Sequence, residues 1–438
     1  MLSSSDSKKP NIRLCSDLEF SETARDGDHR NRLGRIQPVF CAIWIRPKWF
    51  CAIPNDPPEY PERIPTMTEE KKVEYLELIY DLIFVYIIGR NNSLLQDVEN
   101  GFISGSVFLA YALCSLAVIQ IWNYTTFYIN LYGRNSKREH IFLFVNMYLL
   151  YFIGEGIRRH WNGYHGRFHL AWALILINIG IQYLIEMRHH HDEPAAMQTI
   201  RGLLIALFGE AAIVLASIPF LGKTDFPFAG IAILYGIIVT RLLAGKSKTS
   251  QVDFNHLSER AMLYVVFTFG EMIIAVAAYF EEGVDLSSIY FATMSFGIVA
   301  GLFLSYEVLY NKILDRDRET SGMSYMMIHI FLIFSMNNIT TSLEFMRNPD
   351  ISILPKTAFL TGSFLLYFIC MFALLSFAKA ELEQCKRFLI PVAGISAAFA
   401  VLMLVFREQM YINILISVLY VFIVFLAVYY FSRREVQE

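Results

Sequence analysis

The sequence predicts an all-α polytopic bundle of transmembrane helices, and three observations carry that expectation. Apolar runs near ~20 residues recur along most of the chain, each long enough to cross ~30 Å of hydrocarbon as a helix. Charged residues make up 18% of the 438 positions and hydrophobic residues 55%, whereas a soluble domain carries about 25% charged residues. The connections between the runs are short, which leaves no room for an inserted soluble domain. The net charge of −3 presents no basic surface for nucleic acid. The six cysteines form neither a CxxC pair nor a zinc spacing. No P-loop, GxSxG or HExxH motif is present. An enzyme and a bound cofactor are therefore not expected.

Residues 1–66 are of a different kind: polar, rich in Arg and Pro, and holding half of the cysteines. They lack the apolar h-region of a signal peptide. Two readings stand, a disordered tail or an upstream mis-start with translation beginning at Met67, whose MTEEKKVEYLEL leads straight into the first helix. Residues 67–438 are expected to form a single transmembrane domain. Its apolar segments number twelve, at about 74–95, 103–131, 140–157, 168–187, 201–221, 227–244, 260–280, 288–310, 324–344, 357–379, 387–406 and 411–431. Lys and Arg collect in the loops on the side of both termini. The opposite loops keep only Arg158, Arg159, Arg167, Lys223, Arg347, Lys356 and Arg407. By the positive-inside rule both termini face the cytoplasm, and the plasma (inner) membrane is the expected location. Twelve helices with both ends inside invite a six-plus-six repeat, in which segments 1 and 7 correspond; both carry acids.

Charges deep in such helices are costly and face the bundle interior. At a rise of 1.5 Å per residue, Asp81 lies ~12 Å into the first helix, Glu271 ~16 Å beyond Arg260, and Glu210 ~13 Å beyond Arg201. Glu77, Glu259 and Arg260 fall near the cytoplasmic interface. Helical spacing puts Glu74, Glu77 and Asp81 on one stripe, and His256, Arg260 and Glu271 on another. Glu271 is too far from Arg260 to pair within its own helix. A Gly-Glu dipeptide occurs in FIGEG (152–156), LFGEA (207–211) and TFGEM (268–272), where the glycine is expected to admit a close helix crossing. Asn337, Thr341 and Glu344 align on the ninth segment, as cation ligands or as interhelical hydrogen-bond glue. The run RHHHDE (188–193) has a metal-like composition but reads as a solvated loop.

The stretches ELIYDLIFV (77–85) and HLSERAMLYVVFTFGEMII (256–274) resemble the low-temperature-requirement A (LtrA) family of membrane proteins. The first carries Glu77, Leu78, Tyr80, Asp81 and Phe84; the second carries His256, Glu259, Arg260, Leu263, Gly270 and Glu271. The chain departs from the family pattern at Ala261-Met262 and at Met272. The resemblance implies a multi-pass membrane protein linked by name to growth in the cold, and it brings no biochemical activity.

The function expected from these charges is secondary transport of a small solute or ion across the lipid bilayer. Asp81 and Glu271 are expected as mid-membrane carriers, with Glu210, Asn337 and Thr341 as further binding candidates. Glu77, Glu259, His256 and Arg260 are expected to form a gate or a structural ion pair. The alternative is a non-transporting structural membrane protein that supports growth in the cold, in which the same charges fix helix register.

Overall fold

The computed structural model describes residues 71–433 apart from short stretches at 97, 100, 158–164, 222–227, 245–251, 281–282, 347, 349 and 384–385. The two readings of residues 1–66 lie outside the described residues. Among the described residues thirteen α-helices follow one another: α1 (Tyr75–Asn92), α2 (Gly105–Tyr132), α3 (Lys137–Gly156), α4 (His165–His189), α5 (Pro194–Ser217), α6 (Phe228–Val239), α7 (Phe254–Val276), α8 (Leu286–Val308), α9 (Met323–Phe345), α10 (Ile353–Ala373), α11 (Ala380–Glu383), α12 (Leu389–Val405) and α13 (Met410–Ser432). Apart from the one-turn α11, they match the twelve expected segments. The only paired strands among the described residues are two residues each, Val98–Glu99 and Phe102–Ile103, between α1 and α2.

Seven of these helices are long and apolar enough to cross a membrane, and the segments Phe228–Leu243 and Leu389–Val405 are apolar but shorter. The remaining three, α1, α3 and α7, have the length, at 18, 20 and 23 residues. What sets them apart is their charge. On α13 the outward side chains Ile412, Leu415, Leu419, Ile423, Leu426 and Tyr430 are exposed at spacings of three and four. The opposite stripe, Asn413, Ser417, Val421, Val424 and Val428, is buried. An apolar exterior over a partly polar interior is the pattern of a helix facing lipid.

Two helices begin earlier than hydropathy alone suggests. Pro194, with its fixed φ and missing N–H, starts α5. Asp253 caps α7 by accepting the backbone N–H of His256 at 3.0 Å. His256, Glu259 and Arg260 therefore stand inside the first two turns of α7 rather than at its edge.

The packing repeats. Within the first six helices α1 neighbours α2 and α3, α2 neighbours α6, and α3–α4, α4–α5 and α5–α6 pack in series. The same pairings recur six helices later: α7 with α8 and α9, α8 with α13, then α9–α10, α10–α12 and α12–α13. Both α1 and α7 also end in a single 3-10 turn, Ser93–Gln96 and Ala277–Phe280. The expected six-plus-six arrangement is thus present in the helix neighbours, although the residue identities hide it. The halves meet where α1 packs on α7, and α2 and α9 flank that seam.

Candidate functional site

The α1–α7 seam gathers the charges. Arg260, fully buried, donates through Nη1 to Glu77 Oε2 and through Nη2 to Asp81 Oδ1, the latter at 2.7 Å. His256 Nε2 lies 3.6 Å from the same Glu77 oxygen. Glu77 opposes His256 and Asp81 opposes Arg260, so an i,i+4 acid pair on α1 faces an i,i+4 basic pair on α7. Glu271 continues the seam in the same direction. Its Oε1 lies so near α1 that a Cβ on Gly89 would fall 2.6 Å from it. Charge pairing at one end and this contact further along show that α1 and α7 run parallel.

Helix α2 supplies the polar lining. Trp122 Nε1 donates to Asp81 Oδ1 at 2.9 Å, and its ring lies 4.5 Å from that of Tyr264. Tyr80 and Thr125 share a hydrogen bond at 3.0 Å. Asn130 Nδ2 donates to the Asp253 carbonyl at 2.8 Å and reaches His256 Nδ1 at 3.1 Å. An amide N–H facing Nδ1 makes that nitrogen the acceptor, which leaves the Nε2 proton to point at Glu77. Trp122 and Asn130 stand two helical turns apart on one face. Neither is marked in the sequence, because α2 has the composition of an ordinary apolar span.

Glu77 and Asp81 share the single guanidinium of Arg260, and Lys71 is a further positive charge acting on Glu77. Asp81 Oδ2 is buried and has no hydrogen-bond partner among the described residues. Glu77 also lines a cavity of about 980 Å³ at the end of the bundle where α1 begins, shared with Lys71, Glu139, Tyr128 and Gln182. Lys71 Nζ donates to the Ile129 carbonyl and, at 3.3 Å, to that of Asn130. Burial draws the Lys71 ammonium below its usual range, against the pull of Glu77, Glu139 and Asp253. The cavity therefore leads from the bundle end to Glu77, and Glu77 leads to Asp81.

Other expected residues lie elsewhere. Glu259 makes no ion pair among the described residues; one residue from Arg260 is a ~100° rotation about the helix axis. The buried charged cluster therefore consists of Glu77, Asp81, His256 and Arg260, without Glu259 and with Asp81 paired inside it. Asn337 and Thr341 are buried on α9. Asn337 borders a void of about 10 Å³ beside Asn91 and Ser115, too small to hold more than one water. Thr341 donates to the Asn337 carbonyl of its own helix at 3.3 Å, a bond within α9 that favours neither the ligand nor the interhelical-glue reading. Of the three Gly-Glu dipeptides, Gly154 meets Tyr86 and Gly209 meets Tyr235, but Gly270 meets nothing within 4 Å. In TFGEM the close approach belongs to the acid itself, against Gly89.

Glu210 forms a separate site between α2, α5 and α6. It is fully buried. Its Oε2 accepts from Tyr124 at 2.9 Å and from Gln120 Nε2 at 3.2 Å.

The sequence profile of the family described as bacterial low temperature requirement A protein (LtrA) matches residues 72–428. An uncharacterized protein of Rhizobium meliloti (strain 1021) is 22% identical over 219 residues, which is 48% of this chain and 51% of that protein. The chain thus spans about half the length of that curated relative.

Proposed function

We propose, for a chain that belongs to the LtrA family of membrane proteins, that it is a secondary transporter whose coupling ion is a proton bound in the α1–α7 seam. One observation carries the reading: two buried carboxylates share a single guanidinium, and one of them borders a cavity open at the bundle end. Two buried acids on one guanidinium, with Lys71 as a further cation beside Glu77, are a place where a proton can be taken up, and ionisable groups in such positions commonly mark proton paths. In this reading Glu77 receives the proton from the cavity and Asp81 or His256 holds it. Protonation weakens one of the two contacts to Arg260 and loosens the junction between the halves. Glu271 is the next acid along the seam, on the route toward the other membrane face. Coupling a local protonation to movement of one half against the other is the general logic of alternating access in repeat-built transporters.

A second reading has its own support, since Arg260 bonded to both acids is also what a pure register lock requires. Flux separates the two. Protein reconstituted in liposomes with an entrapped pH dye is challenged with a filtered small-molecule extract of the source cell. The expected result is an extract-dependent proton flux that Asp81→Asn abolishes while the folded yield holds. No flux from the unaltered protein, or equal flux from Asp81→Asn, overturns the transport reading and leaves the lock.

A further inference from the structure

The seam does not use Glu210, and its surroundings differ in kind. The carboxyl is fully buried, and no Lys, Arg or His comes within ion-pair distance of it among the described residues. The donors within 3.2 Å, Tyr124 and Gln120, are neutral and both point at Oε2. Oε1 makes no hydrogen bond of ordinary length among the described residues, and the further donor facing the carboxyl, the indole of Trp172, is neutral too. A carboxylate buried without a cation and held only by neutral donors is an expensive species, and taking up a proton removes the charge.

The second half of the molecule serves as an internal control. There the corresponding trio is α8, α12 and α13, and neither α12 nor α13 contains an acidic residue. At the α8–α13 crossing Gly301 lies against Val421, with a Cβ on Gly301 falling 2.6 Å from Cγ1. At the α2–α6 crossing Gly236 lies against Glu210, Gln120 and Tyr124. The α8–α13 contact is thus apolar, whereas Gly236 of α6 sits against the buried acid of α5 and the polar side chains of α2.

We propose that Glu210 is a proton-binding site of the first half, held as a neutral carboxylic acid with its proton on Oε1. Tyr124 also lies 3.4 Å from Thr240 Oγ1. Thr240 opens the π-helical turn Thr240–Ala244 that ends the sixth span, and such turns recur at functional sites. The hydroxyls of Tyr124 and Thr240 extend a hydrogen-bonded line from Glu210 Oε2 to that turn; a proton passed along it arrives on that oxygen as Tyr124 is reprotonated from Thr240, and a half-turn of the carboxyl leaves the protonated oxygen in the Oε1 position. A metal ion fits the cage poorly, because the groups nearest Oε2 present N–H and O–H rather than oxygen lone pairs.

Protonation can be read directly, whether or not the chain transports anything. Infrared difference spectra of the full chain in lipid at pH 7, unaltered protein minus Glu210→Gln, are expected to show one C=O stretching band of a protonated carboxylic acid. Tyr124→Phe removes a donor to Oε2 and is expected to move that band to higher wavenumber without abolishing it. Loss of carboxylate bands instead of the carboxylic acid band in Glu210→Gln overturns the proposal. If Glu210→Gln does not fold, a Tyr124→Phe spectrum unchanged in the carboxylic acid region overturns it equally.

Discussion

The two six-helix halves pack the same helix neighbours with different chemistry, and the difference falls on the elements that matter for function. In the first half α1 contributes acids, Glu77 and Asp81; in the second its counterpart α7 contributes His256 and Arg260 at the same i,i+4 spacing. Two helices of one repeat family have become complementary rather than alike, and their attraction holds the halves together at the seam. Away from the seam the contrast runs the other way. The first half buries an acid, Glu210, against Gly236 of α6, while α12 and α13 of the second carry no acid and Gly301 meets Val421.

The comparison can be broken in order of expected effect. Arg260→Met leaves Glu77 and Asp81 buried without their cation and is expected to cost about 3–5 kcal/mol. The measurement is the unfolding free energy in mixed micelles. A loss under about 1 kcal/mol would mean that the seam charges do not hold the halves together. Gly236→Val drives a side chain into Glu210, Gln120 and Tyr124; overpacking of this kind costs about 1–3 kcal/mol. Combining it with Glu210→Ala is expected to recover part of that loss, because the obstructing carboxyl is gone. Gly301→Val, against the apolar Val421, gains no relief from Glu210→Ala, and equal relief for both variants would erase the contrast between the crossings. Trp122→Phe removes the indole donor to the buried Asp81 carboxyl and is expected to cost about 1–3 kcal/mol. Asn130→Ala is expected to cost the least, about 1 kcal/mol. It also frees His256 Nδ1 to carry the proton, which histidine ¹⁵N chemical shifts report as a change of tautomer.

Much of this was legible in the sequence. Twelve apolar segments, their order and the two charged stripes follow from spacing alone. The i,i+4 pairs Glu77/Asp81 and His256/Arg260 are visible as motifs, and one guanidinium between two acids is their natural consequence once α1 and α7 touch. What spacing does not encode is which helices touch. Trp122 and Asn130 join the site only because α2 lies along the seam, and nothing local marks them. Glu259 shares a motif with Arg260 but faces elsewhere, which helix rotation explains after the partner is known. The starts of α5 and α7 were placed late because Pro194 and Asp253 act through capping and hydropathy does not register it. The repeat was hidden for a related reason: complementary charges on α1 and α7 erase the identity that an alignment looks for.

If Asp81 and Arg260 act as one unit across the seam, a double-mutant cycle of Asp81→Asn and Arg260→Gln, read as unfolding free energy in mixed micelles, shows it. The expected coupling is about 1.5 kcal/mol or more, each single variant costing more than its addition to the other. Additivity within about 0.5 kcal/mol would contradict it and leave the seam as a line of independent charges.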